Sequence, residues 1–151
     1  KDVIIRKKDN YDGAQPSANA MMSYNLLYLS NMFDAPGWRQ QSIKMVSTMH
    51  KRMIQYPSSY GCWAQTYNLL AFGFTELISI GATVKNSILE VQSLFLPFKL
   101  LLISDEYDPA LSLVKGKQLY DNQYFICNHG TCSAPFSNLN DFLTTIKQTK
   151  Y

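Results

Sequence analysis

The spacing of apolar residues changes near Gly73, and this change constrains the fold more than any other feature of the sequence. Before it, large apolar side chains recur every three or four positions, which is the period of an amphipathic helix. After it, residues 76–80 and 98–103 form short, mainly apolar runs of the kind found in buried strands. We therefore predict an α+β chain, with antiparallel α/α hairpin helices in residues 1–74 and a small α/β element in residues 75–151.

Three helices are predicted in the first part. The first covers residues 17–33 and is apolar on two stripes, so we expect both sides of it to be buried. The stripes are Met21, Tyr24, Tyr28 and Met32, and Met22, Leu26, Leu29 and Phe33. The second helix covers residues 38–55, with Asp34 as its N-cap and Pro36 in its first turn. A third helix begins near Trp63, and the short turns between the helices predict antiparallel neighbours.

The second part has the order strand, helix, strand. A helix over residues 83–94 lies between the two apolar runs, and this order predicts a parallel βαβ unit. The sequence Asn128-His129-Gly130 is typical of a tight turn, which favours a hairpin between residues 123–126 and 132–136. A last helix is expected over residues 138–147.

Composition and charge exclude several classes of protein. The net charge is +3, and the basic excess lies at the two ends of the chain, in Lys1, Arg6, Lys7 and Lys8 and in Lys147 and Lys150. We therefore predict solvated ends rather than a nucleic-acid-binding patch. No apolar stretch has the length needed to cross a bilayer, so no membrane partner is expected. We predict a cytoplasmic location and, because the chain starts at Lys1, a piece of a longer protein.

The three cysteines favour a reducing compartment, because they are too few for a disulfide-rich secreted scaffold. Cys127 and Cys132 flank the predicted turn, where they either form a disulfide or simply pack. A zinc site would require two spaced pairs of ligands, and Cys62 is the one further thiol, so no metal and no cofactor are predicted. His50 lies among core-facing positions and is expected to be a buried or partly buried structural histidine.

Three segments together resemble the thioredoxin-domain-containing, spermatogenesis-associated protein family. The first is residues 12–19, with the sequence Asp-Gly-Ala-Gln-Pro-Ser-Ala-Asn, followed by Asn25-Leu26-Leu27. The second is residues 76–81, and the third runs from Phe125-Ile126-Cys127 to residues 131–135. The segments occur in the family's order and spacing and span almost the whole chain.

The resemblance implies a larger protein, in which an N-terminal thioredoxin-like domain is joined to an (α/α)6 toroid. Such toroids are similar to six-hairpin glycosidases and N-acylglucosamine 2-epimerases. By this resemblance the chain is the C-terminal fragment of such a protein, with the rest of the toroid and the thioredoxin-like domain as its partners. Alone, the fragment is expected to be inactive and to self-associate through apolar helix faces.

The resemblance also indicates a candidate carbohydrate site, because toroids of this type bind ligands in a funnel of helix N-termini and loops. Asp12 is the candidate catalytic residue, and Ser17, Asn19, Gln15 and Tyr11 are candidate ligand-binding residues. Alternatively, Asp12 and Ser17 only cap and brace a helix start. The family usually has Glu where this chain has Gln15, and an amide cannot serve as a general acid or base.

Three functions follow from these observations. The full-length protein binds or processes a carbohydrate, or it uses this region as a non-catalytic scaffold for the thioredoxin-like domain. The third is thiol redox chemistry at Cys127 and Cys132. Whether the full-length protein is an enzyme is left open by the sequence, since no second carboxylate is placed opposite Asp12.

Overall fold

The computed structural model describes residues 9–117 and 121–148. The chain divides into two compact units, Lys1–Phe72 and Gly73–Tyr151, and each is described by itself. The first unit is helical and the second contains a four-stranded mixed sheet, so the predicted α+β class is confirmed. The predicted basic ends lie outside the described residues, except for Lys147.

From residue 9 onwards the first unit forms three α-helices: α1 (Ala18–Phe33), α2 (Pro36–Gln55) and α3 (Gly61–Phe72). A 3-10 turn, Pro57–Ser59, connects α2 to α3. Ser17 is the N-cap of α1, and its hydroxyl oxygen accepts a hydrogen bond from the backbone N–H of Ala20. This bond satisfies one of the N–H groups that a helix start leaves without an intrahelical partner.

The prediction that Asp34 is the N-cap of α2 is wrong. Asp34 ends α1 in the left-handed conformation (φ 51°, ψ 50°), and its backbone N–H donates to the carbonyl of Ser30. Ala35 occupies the N-cap position of α2, and Pro36 is the first residue of that helix, as predicted. Only two residues join the helices, so one of them must reverse the chain. Aspartate is among the few residues that adopt the left-handed region at modest cost.

The buried face of α1 also differs from the prediction. Its buried residues are mostly small: Ala20, Ser23, Leu27 and Ser30. The hydroxyl of Ser42 on α2 donates to the backbone carbonyl of Ser23 at 2.7 Å, so small side chains let the two helices approach closely. Of the two predicted stripes, Met21, Met22, Leu29 and Phe33 are exposed. The expectation that both stripes are buried is therefore wrong, because backbone proximity rather than side-chain size decides which face packs.

The second unit is built on a sheet with the strand order β2-β1-β3-β4. The strands are β1 (Thr75–Ile80), β2 (Lys99–Ser104), β3 (Gln123–Asn128) and β4 (Thr131–Cys132). Strand β1 is parallel to β2 and antiparallel to β3, so it is the interior strand next to the parallel edge. Because of this position it is buried from its second residue to its last.

Helices cover one face of this sheet. The connection between β1 and β2 contains a 3-10 turn, Val84–Ser87, followed by the short helix α4 (Ile88–Ser93). The predicted parallel βαβ unit is thus present, although its helix is shorter than the expected 83–94. The last helix, α5 (Leu139–Gln148), packs on the same apolar core. Buried members of that core are Leu77, Val84, Val91, Leu96, Tyr124, Phe142, Leu143 and Ile146.

The hairpin that joins β3 to β4 has a two-residue turn, His129 and Gly130. Both have positive φ, 49° and 78°, which is the backbone of the type I′ turn that matches strand twist best. The turn sets the register of the hairpin, and in that register Cys127 lies directly opposite Cys132. The predicted tight turn is confirmed.

The close contact between α1 and α2 can be tested at Ser42. Replacement by leucine introduces a large side chain and removes the hydrogen bond to Ser23, so Ser42→Leu should lower the free energy of unfolding by about 1–3 kcal/mol. Ser47 lies on the same helix but is exposed, so Ser47→Leu should stay within about 0.5 kcal/mol of wild type. Urea denaturation measures both. Equal effects of the two substitutions would contradict close packing at Ser42.

Candidate functional site

The predicted carbohydrate loop forms one side of an open cleft in the first unit. The cleft has a volume of about 490 Å³ and is lined by residues of the segment before α1, among them Tyr11, Gln15 and Ser17. The Tyr11 ring is exposed and touches Tyr60 edge-on, with ring centroids 6.2 Å apart. Gln15 is exposed as well. Of the five predicted site residues, Tyr11, Gln15 and Ser17 line this cleft, whereas Asp12 and Asn19 do not.

The carboxylate of Asp12 has a clear structural role. Oδ1 accepts the backbone N–H of Ser17 at 2.9 Å, and Oδ2 accepts the backbone N–H of Cys62, near the start of α3, also at 2.9 Å. Its own N–H donates to the carbonyl of Ser59. One carboxylate thus ties the starts of α1 and α3 together. This geometry favours the alternative that Asp12 braces helix starts, and the catalytic role stays a prediction.

Asn19 also uses its polar atoms within the protein. Its side-chain N–H₂ donates to the carbonyl of Asp9 at 2.8 Å and to the side-chain oxygen of Asn10 at 2.9 Å. The indole N–H of Trp63 donates to the carbonyl of Asn10, which anchors the same segment on α3. Of the five predicted site residues, Tyr11 and Gln15 are therefore the ones whose side chains face solvent with the most freedom to meet a ligand.

A second cluster, in the second unit, was missed by the sequence analysis and centres on Glu76. This residue is the second of β1, only 5% exposed, and its Oε2 atom has no hydrogen-bond partner among the described residues. Burying a carboxyl group without partners is costly, since the charged form loses its hydration. The sequence signal was weak: a single acid at the start of an apolar strand is more often found at a solvated strand end.

Two basic side chains face this carboxyl. Burial raises the pKa of Glu76, while the nearby charges of His129 and Lys117 lower it by a smaller amount. Burial also lowers the pKa of Lys117, and its ammonium group lies 5.2 Å from the centroid of the Phe125 ring. The His129 ring lies so close to the Gly73 backbone that a Cβ there would meet it at 2.5 Å. Glycine at position 73 is thus needed for the histidine to sit where it does.

The cluster around Glu76 also contains a disulfide between Cys127 and Cys132, whose Cα atoms are 4.0 Å apart. The sequence left open whether these thiols link or simply pack, and in the structure they are linked. Cys127 is 1% exposed, whereas Cys132 is exposed. Strand pairing places Glu76 directly opposite Cys127, so the buried carboxyl and the buried sulfur share one face of the sheet. Cys62 in the first unit is a free thiol.

The prediction for His50 is wrong. The histidine is exposed, and its ring lies 6.0 Å from the ring of Tyr67. The buried line of α2 is Ser42, Val46, Met49 and Met53, so His50 lies one position away from it. Within residues 9–117 and 121–148, no three His, Cys, Asp or Glu side chains are grouped so as to hold a metal ion. No helix in these ranges is long and apolar enough to span a membrane.

Comparison with known proteins gives three distant relatives, all named spermatogenesis-associated protein 20. The rat protein is 24% identical over 149 residues, which covers 91% of this chain and 19% of the relative. The human protein is 24% identical over 146 residues, which cover 89% of this chain and 18% of the human protein. The mouse protein is 27% identical over 113 residues, which cover 72% of this chain and 14% of the mouse protein. The chain thus spans about a fifth or less of the length of these relatives. No protein-family model matches, and no solved structure matches.

These matches support the family named from the sequence motifs, as a distant relationship. They extend over most of this chain, so the relationship is not confined to the three motifs.

The buried carboxyl of Glu76 makes the free energy of unfolding fall as the pH rises, which is the opposite of the usual effect of a carboxyl group in a folded protein. Below about pH 4.3, the ordinary pKa of glutamate, Glu76 is protonated in both the folded and the unfolded chain. As the pH rises towards the raised pKa of the folded state, the unfolded chain loses this proton first, so ionisation favours unfolding. Stability that is present at low pH is therefore lost as the pH increases.

Glu76→Gln should remove this loss. We expect the variant to match wild type near pH 4 and to be more stable at pH 7, measured by denaturant unfolding at a series of pH values. Glu90→Gln, on the exposed side of α4, is the matched control and should follow wild type throughout. If Glu76→Gln and Glu90→Gln have the same pH profile, burial does not raise the pKa of Glu76.

Proposed function

We propose that this chain is a non-catalytic interaction module of a longer polypeptide, and that its helical unit packs against further helices of that polypeptide. The finer proposal, which rests on the family resemblance, is that those helices complete an (α/α)6 toroid that follows a thioredoxin-like domain. The distant relatives support the idea of additional chain, because about four-fifths of their length lies outside the matched region.

The observation that carries the proposal is an open groove between α2 and α3. It has a volume of about 570 Å³ and is lined by a mainly apolar set of side chains, which are Arg39, Ile43, Val46, Ser47, His50, Tyr67, Leu70 and Ala71. Ile43 and Tyr67 are exposed on its rim. Exposed apolar residues occur singly on most proteins, but a contiguous groove of this kind is typical of a surface that another element covers.

The Asp12 loop supports the same proposal. A general acid or base must be free to exchange a proton with a substrate, whereas both oxygens of Asp12 already accept backbone N–H groups. Breaking these bonds would leave the starts of two helices without partners. The position therefore favours a carboxylate that holds the helical unit together over one that performs chemistry.

The groove gives a direct test with a matched pair of residues. Ile43 lines the groove and is 42% exposed, whereas Ile54, on the same helix, is outside the groove and 70% exposed. The isolated chain should self-associate through the uncovered groove, and Ile43→Lys should weaken that association about tenfold, since a buried charge costs more than 1.4 kcal/mol. Ile54→Lys should not. Sedimentation velocity over a concentration series measures this. A wild-type chain that is monomeric at all concentrations contradicts the proposal.

Carbohydrate binding is the second candidate, and the cleft beside Tyr11 is the observation that favours it. Sugar rings stack on exposed aromatic side chains, and the neighbouring amide of Gln15 offers both a donor and an acceptor for hydroxyl groups. On this proposal Asp12, Ser17 and Asn19 shape the loop, and Tyr11 and Gln15 contact the sugar.

Tyr11→Ala tests the second candidate. If the cleft binds sugar, titration with N-acetylglucosamine should shift the backbone NMR signals of residues 11–19, and Tyr11→Ala should weaken this binding about tenfold or more, the usual effect of losing a stacking ring. Tyr56 is equally exposed (54% against 56%) and lies outside the cleft, so Tyr56→Ala is the control. No shifts in the wild type at millimolar sugar, or equal weakening in both variants, would rule out this cleft.

A further inference from the structure

The disulfide of the second unit is strongly asymmetric. Cys132 is exposed on the short edge strand β4, while Cys127 is 1% exposed on β3. Thiol–disulfide exchange begins when a thiolate attacks one sulfur along the S–S axis, and access decides which sulfur is attacked. An external thiolate can reach Cys132, so the sulfur that leaves must be that of Cys127.

The leaving sulfur faces an energetic problem. A thiolate released in a buried position loses its hydration, so the charged form is disfavoured unless a proton or a counter-charge is close. Glu76 is the residue paired with Cys127 in the neighbouring strand, and it is itself buried with one oxygen unpartnered among the described residues. Directly paired residues have Cβ atoms about 5 Å apart on the same face. The Glu76 side chain is long enough to bring its carboxyl to hydrogen-bond distance of Cys127 Sγ, which proton transfer requires.

We propose that Cys127–Cys132 is a reversible thiol–disulfide exchange site for a dithiol reductant, in which Cys132 takes the incoming thiolate and Glu76 supplies a proton to Cys127. The proposal concerns the second unit and does not depend on the groove or the cleft of the first. The partner class is a protein or small molecule that carries two thiols.

One thiolate of the reductant forms a bond to Cys132 Sγ, the S–S bond breaks, and its electron pair goes to Cys127 Sγ. The Glu76 carboxyl transfers its proton to that sulfur and becomes a carboxylate, which regains a proton from solvent. The second thiol of the reductant then loses its proton to solvent and attacks its own mixed disulfide, which releases Cys132 as a thiolate. The protein disulfide is reduced by two electrons, and the dithiol is oxidised to a disulfide.

Two basic groups face Glu76 and influence this step. Lys117 approaches from the segment after the Ser112–Val114 turn, and His129 from the hairpin turn. On the β2 side the paired residue is Leu100, which is apolar and buried. Positive charge on these side chains stabilises the carboxylate that remains after proton transfer. Burial has the larger, opposite effect and raises the pKa of Glu76, so the carboxyl keeps its proton to a higher pH than an exposed glutamate does. This supports Glu76 as the proton donor.

The first experiment tests which sulfur is attacked. In a Cys62→Ala background, Cys127→Ala leaves the thiol of Cys132 and Cys132→Ala leaves that of Cys127. Incubation with oxidised glutathione, followed by acid quench and mass spectrometry, should convert Cys132 to its mixed disulfide, with release of one glutathione thiolate, at least about tenfold faster than Cys127. Equal rates, or faster trapping of Cys127, would overturn the assignment. So would an unlinked pair in protein purified without reductant.

The second experiment tests Glu76 by a pH–rate profile. Reduction of the linked pair by dithiothreitol is followed from pH 5 to 9, and each rate constant is divided by the thiolate concentration. For the wild type, the rate constant per unit of thiolate should fall as the pH rises, because Glu76 loses its proton. Glu76→Gln should be about tenfold slower at low pH, approach wild type at high pH, and show a flat profile.

A purely structural role gives the opposite pattern. If ionised Glu76 only loosens the sheet, wild type and Glu76→Gln have equal rates at low pH, and the wild type becomes faster at high pH. Observation of that pattern, or of superimposed profiles, would overturn the proton-donor role. If Glu76→Gln fails to fold, the wild-type profile alone decides, because a value that does not fall with pH excludes a donor.

Discussion

The burial of strand β1 is the constraint on which the second unit depends. β1 pairs with β2 on one side and with β3 on the other, and every side chain on it after Thr75 is buried. Burial stabilises the leucine and isoleucine side chains of β1, but it destabilises the charged form of Glu76. A sheet that places a carboxyl here must tolerate it in a largely protonated form or compensate for its charge. Lys117 and His129 are the compensation that the structure offers.

The helices of the first unit pack through small side chains. The Ser42–Ser23 hydrogen bond is possible only because the backbones of α1 and α2 are close. Several large apolar residues of α1 and α2 are consequently left exposed, among them Met22, Phe33 and Ile43. A three-helix unit of this size cannot bury two apolar stripes on one helix without more layers. The exposed surface is therefore a consequence of the packing and the reason that a covering partner is proposed.

Sequence patterns predicted the order of the elements well, because they follow from local periodicity and turn chemistry. The helices, the parallel strand pair and the His129–Gly130 turn all depend on neighbours close in sequence. The face of α1 that packs, the exposure of His50 and the burial of Glu76 depend on residues far away, such as Ser42 and Cys127. The sequence predicted the Asp12 loop as a candidate site, but the hydrogen bonds of Asp12 to Ser17 and Cys62 depend on the folded chain.

The central claim is that Glu76 is a buried carboxyl, paired with Cys127, whose pKa is raised by burial. Its most direct test is a ¹³C NMR titration of the Glu76 side-chain carboxyl in the linked protein, with the signal assigned by its disappearance in Glu76→Gln. The account predicts a single titration with a midpoint clearly above the ordinary glutamate value of about 4.3. A midpoint at or below that value would show that the carboxyl is solvated or fully paired, and would contradict the account.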